Sequence, residues 1–333
     1  MLQSRRAAIL FLLLATFFAA NAAASLLDLP GEARRILVLG DSITYKGQYV
    51  VDLETWFLRH HPGPERVWLN LALPSENVSG LSEPGHAGGK FPRPDLHERL
   101  DRVLAAVRPD LVFACYGMND GAFLPFDPAH LAAYRSGLEK LHARVTAAGA
   151  RIVFITSPVY DERRGKLPAY AEVLTRQAAW LAGQAAAAGW LVLDLHTPMR
   201  AELERRRAVD PAWTFARDAV HPDDAGHRFI ARTLLTALGA NDLPPVLEPD
   251  APDPDVPLRD LVQRRMTLRR DAWLASTGHL RPGLPAGSPL AEAERQAEEI
   301  TAAIRATLQK TGSTAPAANP EFGAVSSEPG YRG

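Results

Sequence analysis

Short runs of apolar and β-branched residues alternate along this chain with stretches whose apolar positions recur at helical spacing. The first run, Arg35-Ile36-Leu37-Val38-Leu39, stops at Gly40 and reads as a strand. Comparable strands are predicted at Val67 to Leu71, Leu111 to Tyr116, Arg151 to Thr156 and Trp190 to Asp194. Their apolar residues are continuous rather than alternating, which calls for cover on both faces. Between them, Leu96, Leu100, Val103, Leu104 and Val107 fall on one helical stripe, and Leu131, Tyr134, Leu138, Leu141 and Val145 on another. Strands and helices in alternation predict an α/β fold, a five-stranded parallel sheet with right-handed crossovers and helices on both faces. In such a sheet, ligands bind beyond the carboxyl ends of the strands.

A last helix, Ala225 to Leu238, closes a unit spanning 25–240. A Pro- and Asp-rich linker over 241–257 follows, then a C-terminal helical appendage over 258–310 with helical patterns at Leu258 to Leu274 and Leu290 to Leu308. Arg264, Arg265, Arg269 and Arg270 in it are expected on a solvated helix face. Residues 311–333 are rich in Gly, Pro, Ser and Ala and are expected to be disordered.

The 333 residues, 47% of them hydrophobic, suffice for one full core with elements beside it. A net charge of −1 with no long run of one sign argues against a nucleic-acid partner. Residues 1–24 read as an export signal: Arg5 and Arg6, an apolar stretch from Ala7 to Ala20, then small residues through Ala24. The stretch falls short of the roughly 20 residues a membrane-spanning helix needs, so stable membrane insertion is not expected. Cys115 is the single cysteine, which excludes an intramolecular disulfide. The expected location is periplasmic or extracellular.

Candidate chemistry sits at the predicted strand ends. Gly40-Asp41-Ser42-Ile43-Thr44 follows the first strand and places a hydroxyl at the sheet's carboxyl edge; the alternative is that Asp41 or Ser42 caps the next helix. Gly117-Met118-Asn119-Asp120 follows the third strand, where an Asn amide can donate to developing negative charge or simply form a turn. In Asp218-Ala219-Val220-His221, a carboxylate three residues before an imidazole can fix its tautomer, leaving the other ring nitrogen as a general base. Asp41, Asp120 and His221 could alternatively gather around a divalent ion. Gly-Asp-Ser or Gly-x-Asn-Asp alone arises by chance in roughly one chain of this length in ten. All three, in order at one sheet edge, are far rarer.

Together these segments resemble the SGNH, or GDSL-like, hydrolase family of lipases and acylhydrolases. Its four blocks supply Ser, Gly, Asn and His in that order from a flavodoxin-like three-layer α/β/α sandwich. The resemblance spans Arg34 to Leu238. It implies Ser42 as nucleophile, His221 as base, Asp218 as its orienting partner and the Asn119 side chain as an oxyanion donor. The second block lacks its glycine: in Asn70-Leu71-Ala72-Leu73-Pro74-Ser75-Glu76, aligning Asn70 with the family's asparagine places Ser75 at the donor position. Its backbone N–H would then join that of Ser42 in the oxyanion hole. Pro74 cannot donate, and Gly80 is the other candidate.

The resemblance implies a serine esterase that hydrolyses carboxylic esters through an acyl-enzyme and needs no metal or organic cofactor. Export without a hydrophobic lid or lipid anchor leans toward short acyl groups, such as acetyl on glycans, so the expected partner is an acylated glycan or a small ester. A lipase or thioesterase of the same mechanism, or a noncatalytic glycan-binding protein on the same fold, are the alternatives. His86 and Lys90, in the Gly- and Pro-rich insert from Leu81 to Pro94, are candidate substrate contacts, as is Trp213. Their alternatives are a solvated loop and core packing.

Overall fold

The computed structural model describes residues 26–240 apart from Pro62 and Pro64, together with Leu243 and residues 255–310. The expected export signal, the tail over 311–333 and most of the linker lie outside the described residues. Five strands form one sheet: β1 (Arg35–Gly40), β2 (Val67–Asn70), β3 (Leu111–Cys115), β4 (Arg151–Ile155) and β5 (Leu191–Leu193). All pair in parallel, in the order β2-β1-β3-β4-β5.

A short α1 (Asp28–Glu32) precedes β1. Then come α2 (Ser42–Lys46), α3 (Gln48–His60), α4 (Leu96–Val107), α5 (Pro128–Ala147), α6 (Tyr170–Ala188), α7 (His196–Val209) and α8 (Asp224–Leu238). Strand periodicity sends Ile36 and Val38 to one face and Leu37 and Leu39 to the other. The first pair joins a core with Val50 and Phe57 of α3 and Ile230 and Leu234 of α8. The second joins Leu100 and Val103 of α4 and Leu138 and Leu141 of α5. The result is the three-layer α/β/α sandwich expected from the sequence, and Trp56 and Trp68 are buried in it.

The register aligns Val38 with Asn70, Gly40 with Cys115, Cys115 with Ile155, and Ile155 with Leu193. The strands' carboxyl ends therefore make one rim, from which the connecting loops rise.

The C-terminal helices α9 (Val256–Thr277) and α10 (Leu290–Lys310) lie against this sandwich. Leu258, Val262, Met266, Ile304 and Leu308 enter the same core as α3 and α8. The expectation of a solvated arginine face fails here: Arg265, Arg269 and Arg270 are buried, and only Arg264 of the four is exposed. The reason is charge complementarity from both sides of α9. Arg265 bonds Glu54 of α3 at 2.7 Å and Thr301 of α10 at 2.6 Å, while Arg269 bonds Glu294 at 3.0 Å and Glu298 at 3.3 Å. A buried guanidinium is tolerated when paired and hydrogen-bonded in this way. Arg270 donates to the Tyr45 carbonyl at 2.8 Å and lies over the Tyr45 ring, on the short helix that begins at Ser42.

Candidate active site

Gly40 ends β1 against neighbours that leave no room for a side chain. A Cβ there would lie 2.4 Å from Thr44 Oγ1 and 2.8 Å from the Cys115 carbonyl oxygen. This close approach lets the chain turn directly into α2. Asp41 caps α2, its Oδ1 accepting from the Ile43 N–H at 2.9 Å. Of the two cap candidates in the sequence, Asp41 makes the cap, and the Ser42 hydroxyl faces His221. Burial pushes the Asp41 carboxyl up to about 6, against the opposing pull of the Ile43 N–H.

Ser42 Oγ lies 2.8 Å from His221 Nε2, across 179 residues of sequence. His221 Nδ1 lies 2.7 Å from Asp218 Oδ2. With Nδ1–H donating to the carboxylate, Nε2 is left to accept the serine proton. Asp218 Oδ1 also accepts from the backbone N–H groups of Val220, at 3.0 Å, and His221, at 2.8 Å. Partial burial raises the Asp218 pKa, but the hydrogen bonds from His221 and Val220 outweigh it and hold the carboxyl below its ordinary value. Ala219 takes φ of 76° to close this turn.

Several bonds hold the His221 loop in place. The Ala219 carbonyl accepts from the Asp161 N–H at 2.9 Å. Asp161 in turn accepts from Arg207 and Thr214, both at 2.5 Å. On the Ser42 side, Lys46 donates to the Pro222 carbonyl at 3.2 Å and Gln48 to Asp224 at 2.6 Å. The serine and histidine segments are therefore tied to each other beside the Ser42–His221 contact.

The loop after β2 completes the site. Asn70 donates to the Thr44 carbonyl at 2.6 Å, joining this loop to α2. Ser75 holds φ of 70°, the left-handed region that favours glycine, at the position where the family's glycine is missing. Its backbone N–H has no acceptor among the described residues, and the Ser42 N–H, first in its helix, has no intrahelical partner. Gly80, the other candidate, gives its N–H to Asn77 Oδ1 at 3.1 Å. Asn119 is 4% exposed; its Nδ2 donates to the Glu76 carbonyl at 3.0 Å and its Oδ1 accepts from Arg93 Nη1 at 2.8 Å. One amide N–H therefore remains for a ligand.

Beneath the loop, buried Glu76 accepts from Arg99 Nε at 2.6 Å, Arg99 Nη2 at 2.7 Å and Tyr116 Oη at 2.7 Å. Burial pushes Glu76 upward, with Arg99 opposing. Asp120 Oδ1 accepts from the Val78 and Ser79 N–H groups, both at 2.9 Å. Burial raises its carboxyl to about 7. Among the described residues no group of three or more His, Cys, Asp or Glu side chains is arranged to hold a metal ion.

Residues 38–229 match the GDSL-like lipase/acylhydrolase family. The chain belongs to that family. This acylhydrolase is a carboxylic ester hydrolase. No curated protein matches the sequence. Among solved structures, a gut microbial diltiazem-metabolizing enzyme superposes with a TM-score of 0.52 at 23% identity, over 62% of this chain and 47% of that one. The acylhydrolase thus spans about half the length of that enzyme. The acetylxylan esterase Axe2 from Geobacillus stearothermophilus superposes with a TM-score of 0.47 at 22% identity, over 62% of this chain and 94% of that one.

The three candidate substrate contacts have surroundings of their own in the acylhydrolase. His86 is held by Glu83 at 2.9 Å and packs edge-on against Phe91; Lys90 is exposed; Trp213 packs edge-on against Phe215, with the Arg206 guanidinium 5.5 Å from its ring. None has a hydrogen bond or ring contact with Ser42, Asn119 or His221 among the described residues. Sequence reasoning missed Arg93, whose only signal is a lone cation in the Phe91-Pro92-Arg93-Pro94 run. It also missed Glu76, which carries no motif of its own.

Proposed function

We propose that this acylhydrolase is an exported serine esterase in which Ser42, His221 and Asp218 form the catalytic triad. The observation that carries the reading is the continuous chain from Ser42 Oγ through both His221 nitrogens to Asp218 Oδ2, with contacts of 2.8 and 2.7 Å. Ser42 Oγ attacks the ester carbonyl carbon as His221 Nε2 takes its proton; Asp218 stabilises the resulting imidazolium. The tetrahedral oxyanion receives the Ser42 N–H, the Ser75 N–H and the free N–H of Asn119 Nδ2. His221 then returns the proton to the leaving alcohol. Water, activated by the same imidazole, releases the acid.

Short acyl groups on a glycan are the substrate class we favour. The side chains of His221 and Asp218 are 43% and 58% exposed, so the chemistry sits on an open rim that a bulky alcohol carrier can reach. Export is supported by the basic, apolar and small-residue order of residues 1–24. Among the described residues no helix is long and apolar enough to cross a membrane.

The test is hydrolysis of p-nitrophenyl esters of increasing acyl length, with acetate release from acetylated xylan, each with and without a chelator. Highest kcat/KM at acetyl, acetate release from the polymer and indifference to the chelator are expected. Rates that rise with chain length would favour a lipase, and loss of activity on chelation would overturn the serine mechanism.

A further inference from the structure

An asparagine serves as an oxyanion donor only while its NH2 faces the substrate, and rotation by 180° exchanges that group for an acceptor oxygen. Nothing in Asn119 itself prevents the exchange. Two neighbours do: the Glu76 carbonyl, which accepts from Nδ2 at 3.0 Å, and Arg93, whose guanidinium has donors and no acceptor, so that only Oδ1 of Asn119 can face Nη1 at 2.8 Å. Arg93 is in turn fixed on its other edge. Its Nε and Nη2 meet Glu83 Oε2 and Oε1, both at 2.6 Å, in a two-point fork, and its carbon lies 4.9 Å from the Phe123 ring centroid. Arg93 is 8% exposed, and its own N–H is held by Ser82 Oγ at 3.0 Å. Nη1 also lies 3.5 Å from the carbonyl of Ser75, the residue in the left-handed conformation.

We infer that Arg93, held by Glu83, is a positioning residue of the oxyanion hole: together with the Glu76 carbonyl it locks the Asn119 amide in its donating orientation, and it meets the carbonyl of Ser75. The inference rests on the serine-esterase reading above. It gives the insert from Leu81 to Pro94 a role in turnover, through Glu83 at one end and Arg93 at the other, without either residue touching substrate. His86 belongs to the same assembly, since its Nδ1 meets Glu83 Oε1 at 2.9 Å. The positive charge also lies behind the amide that faces the developing oxyanion, polarising its N–H bonds.

The experiment is a double-mutant cycle on kcat, measured on the best short-chain ester with Arg93→Leu, Asn119→Ala, the double variant and Ser42→Ala, beside thermal unfolding of each. Arg93→Leu is expected to lower kcat about 10- to 100-fold with KM nearly unchanged, and the double variant to be no slower than Asn119→Ala alone. A merely structural Arg93 would give losses that multiply. Arg93→Lys, a point charge that cannot bridge Glu83 and Asn119 in the same way, should recover part of the rate. If Arg93→Leu does not fold, the cycle is run with Arg93→Lys, and Glu83→Gln should lower kcat in the same direction. An inactive Ser42→Ala with Arg93 and Asn119 losses that multiply, or with no Arg93 effect, overturns this inference and leaves the triad standing. A Ser42→Ala variant as active as the wild type, or a wild type inactive on every ester, overturns the triad and this inference with it.

Discussion

Replacing Ser75 by glycine separates the backbone N–H of this residue from its side chain. With φ of 70°, Ser75 stands in a region that disfavours a non-glycine residue by about 1 to 2 kcal/mol. Glycine removes that cost but adds about 0.5 to 1 kcal/mol of unfolded-chain entropy. The Ser75 hydroxyl has no hydrogen bond among the described residues, so no compensating interaction is lost. The balance is a gain of about 0 to 1.5 kcal/mol, centred on about 0.75, which raises Tm by up to about 6 °C. Because the peptide N–H is retained, kcat on a short ester should stay within about twofold, whereas loss of an oxyanion donor costs about 10² to 10³. Calorimetry and steady-state kinetics on Ser75→Gly, with Ser75→Ala as the control that keeps the N–H but not the freedom at φ, check both halves. A tenfold fall in kcat with an unchanged or lower Tm would refute the reasoning.

Three further outcomes follow from the buried groups. Asp120 holds its proton up to about pH 7 in the fold but only to about 3.9 in the unfolded chain. Its contribution to stability is therefore complete below about pH 4 and is lost as the pH rises through 7. Asp120→Asn keeps an acceptor for Val78 and Ser79 and should flatten that decline, gaining on the order of 1 to 3 kcal/mol over wild type near pH 8 in urea titrations. Arg265→Ala leaves Glu54 buried and uncompensated and should cost about 3 to 5 kcal/mol, while Arg265→Met with Glu54→Leu should cost clearly less in the same titrations. Gly137→Ala places a Cβ 2.0 Å from the Val78 carbonyl, so α5 must shift away from the loop that carries Ser75. A loss of about 1 to 3 kcal/mol with a lower kcat is expected.

The sheet was legible because its strands are covered on both faces, so each one reads as an unbroken apolar run between glycine and polar punctuation. Ser42, Asn119 and the Asp218–His221 pair were legible for a related reason: their short motifs stand at strand ends or before the last helix, where parallel topology brings loops to one rim. The arginines of α9 were misread because a helical row of cations looks the same whether it meets water or Glu54, Glu294 and Glu298, which come from helices far apart in the sequence. Arg93 was hidden for the same physical reason. Its partners, Asn119 and Glu83, are 26 and 10 residues away on irregular loops, where no periodicity marks a contact. At Ser75 an alignment could suggest a donor, but only the backbone angle explains why a glycine suits the position.

The most direct test of the central claim is covalent trapping of the nucleophile with a serine-directed fluorophosphonate, followed by peptide mass mapping. The account predicts one adduct, on the Ser42 hydroxyl, formed in step with loss of esterase activity, absent in Ser42→Ala and greatly slowed in His221→Ala. Full loss of activity with the adduct on another residue, or continued ester turnover by Ser42→Ala, would contradict it.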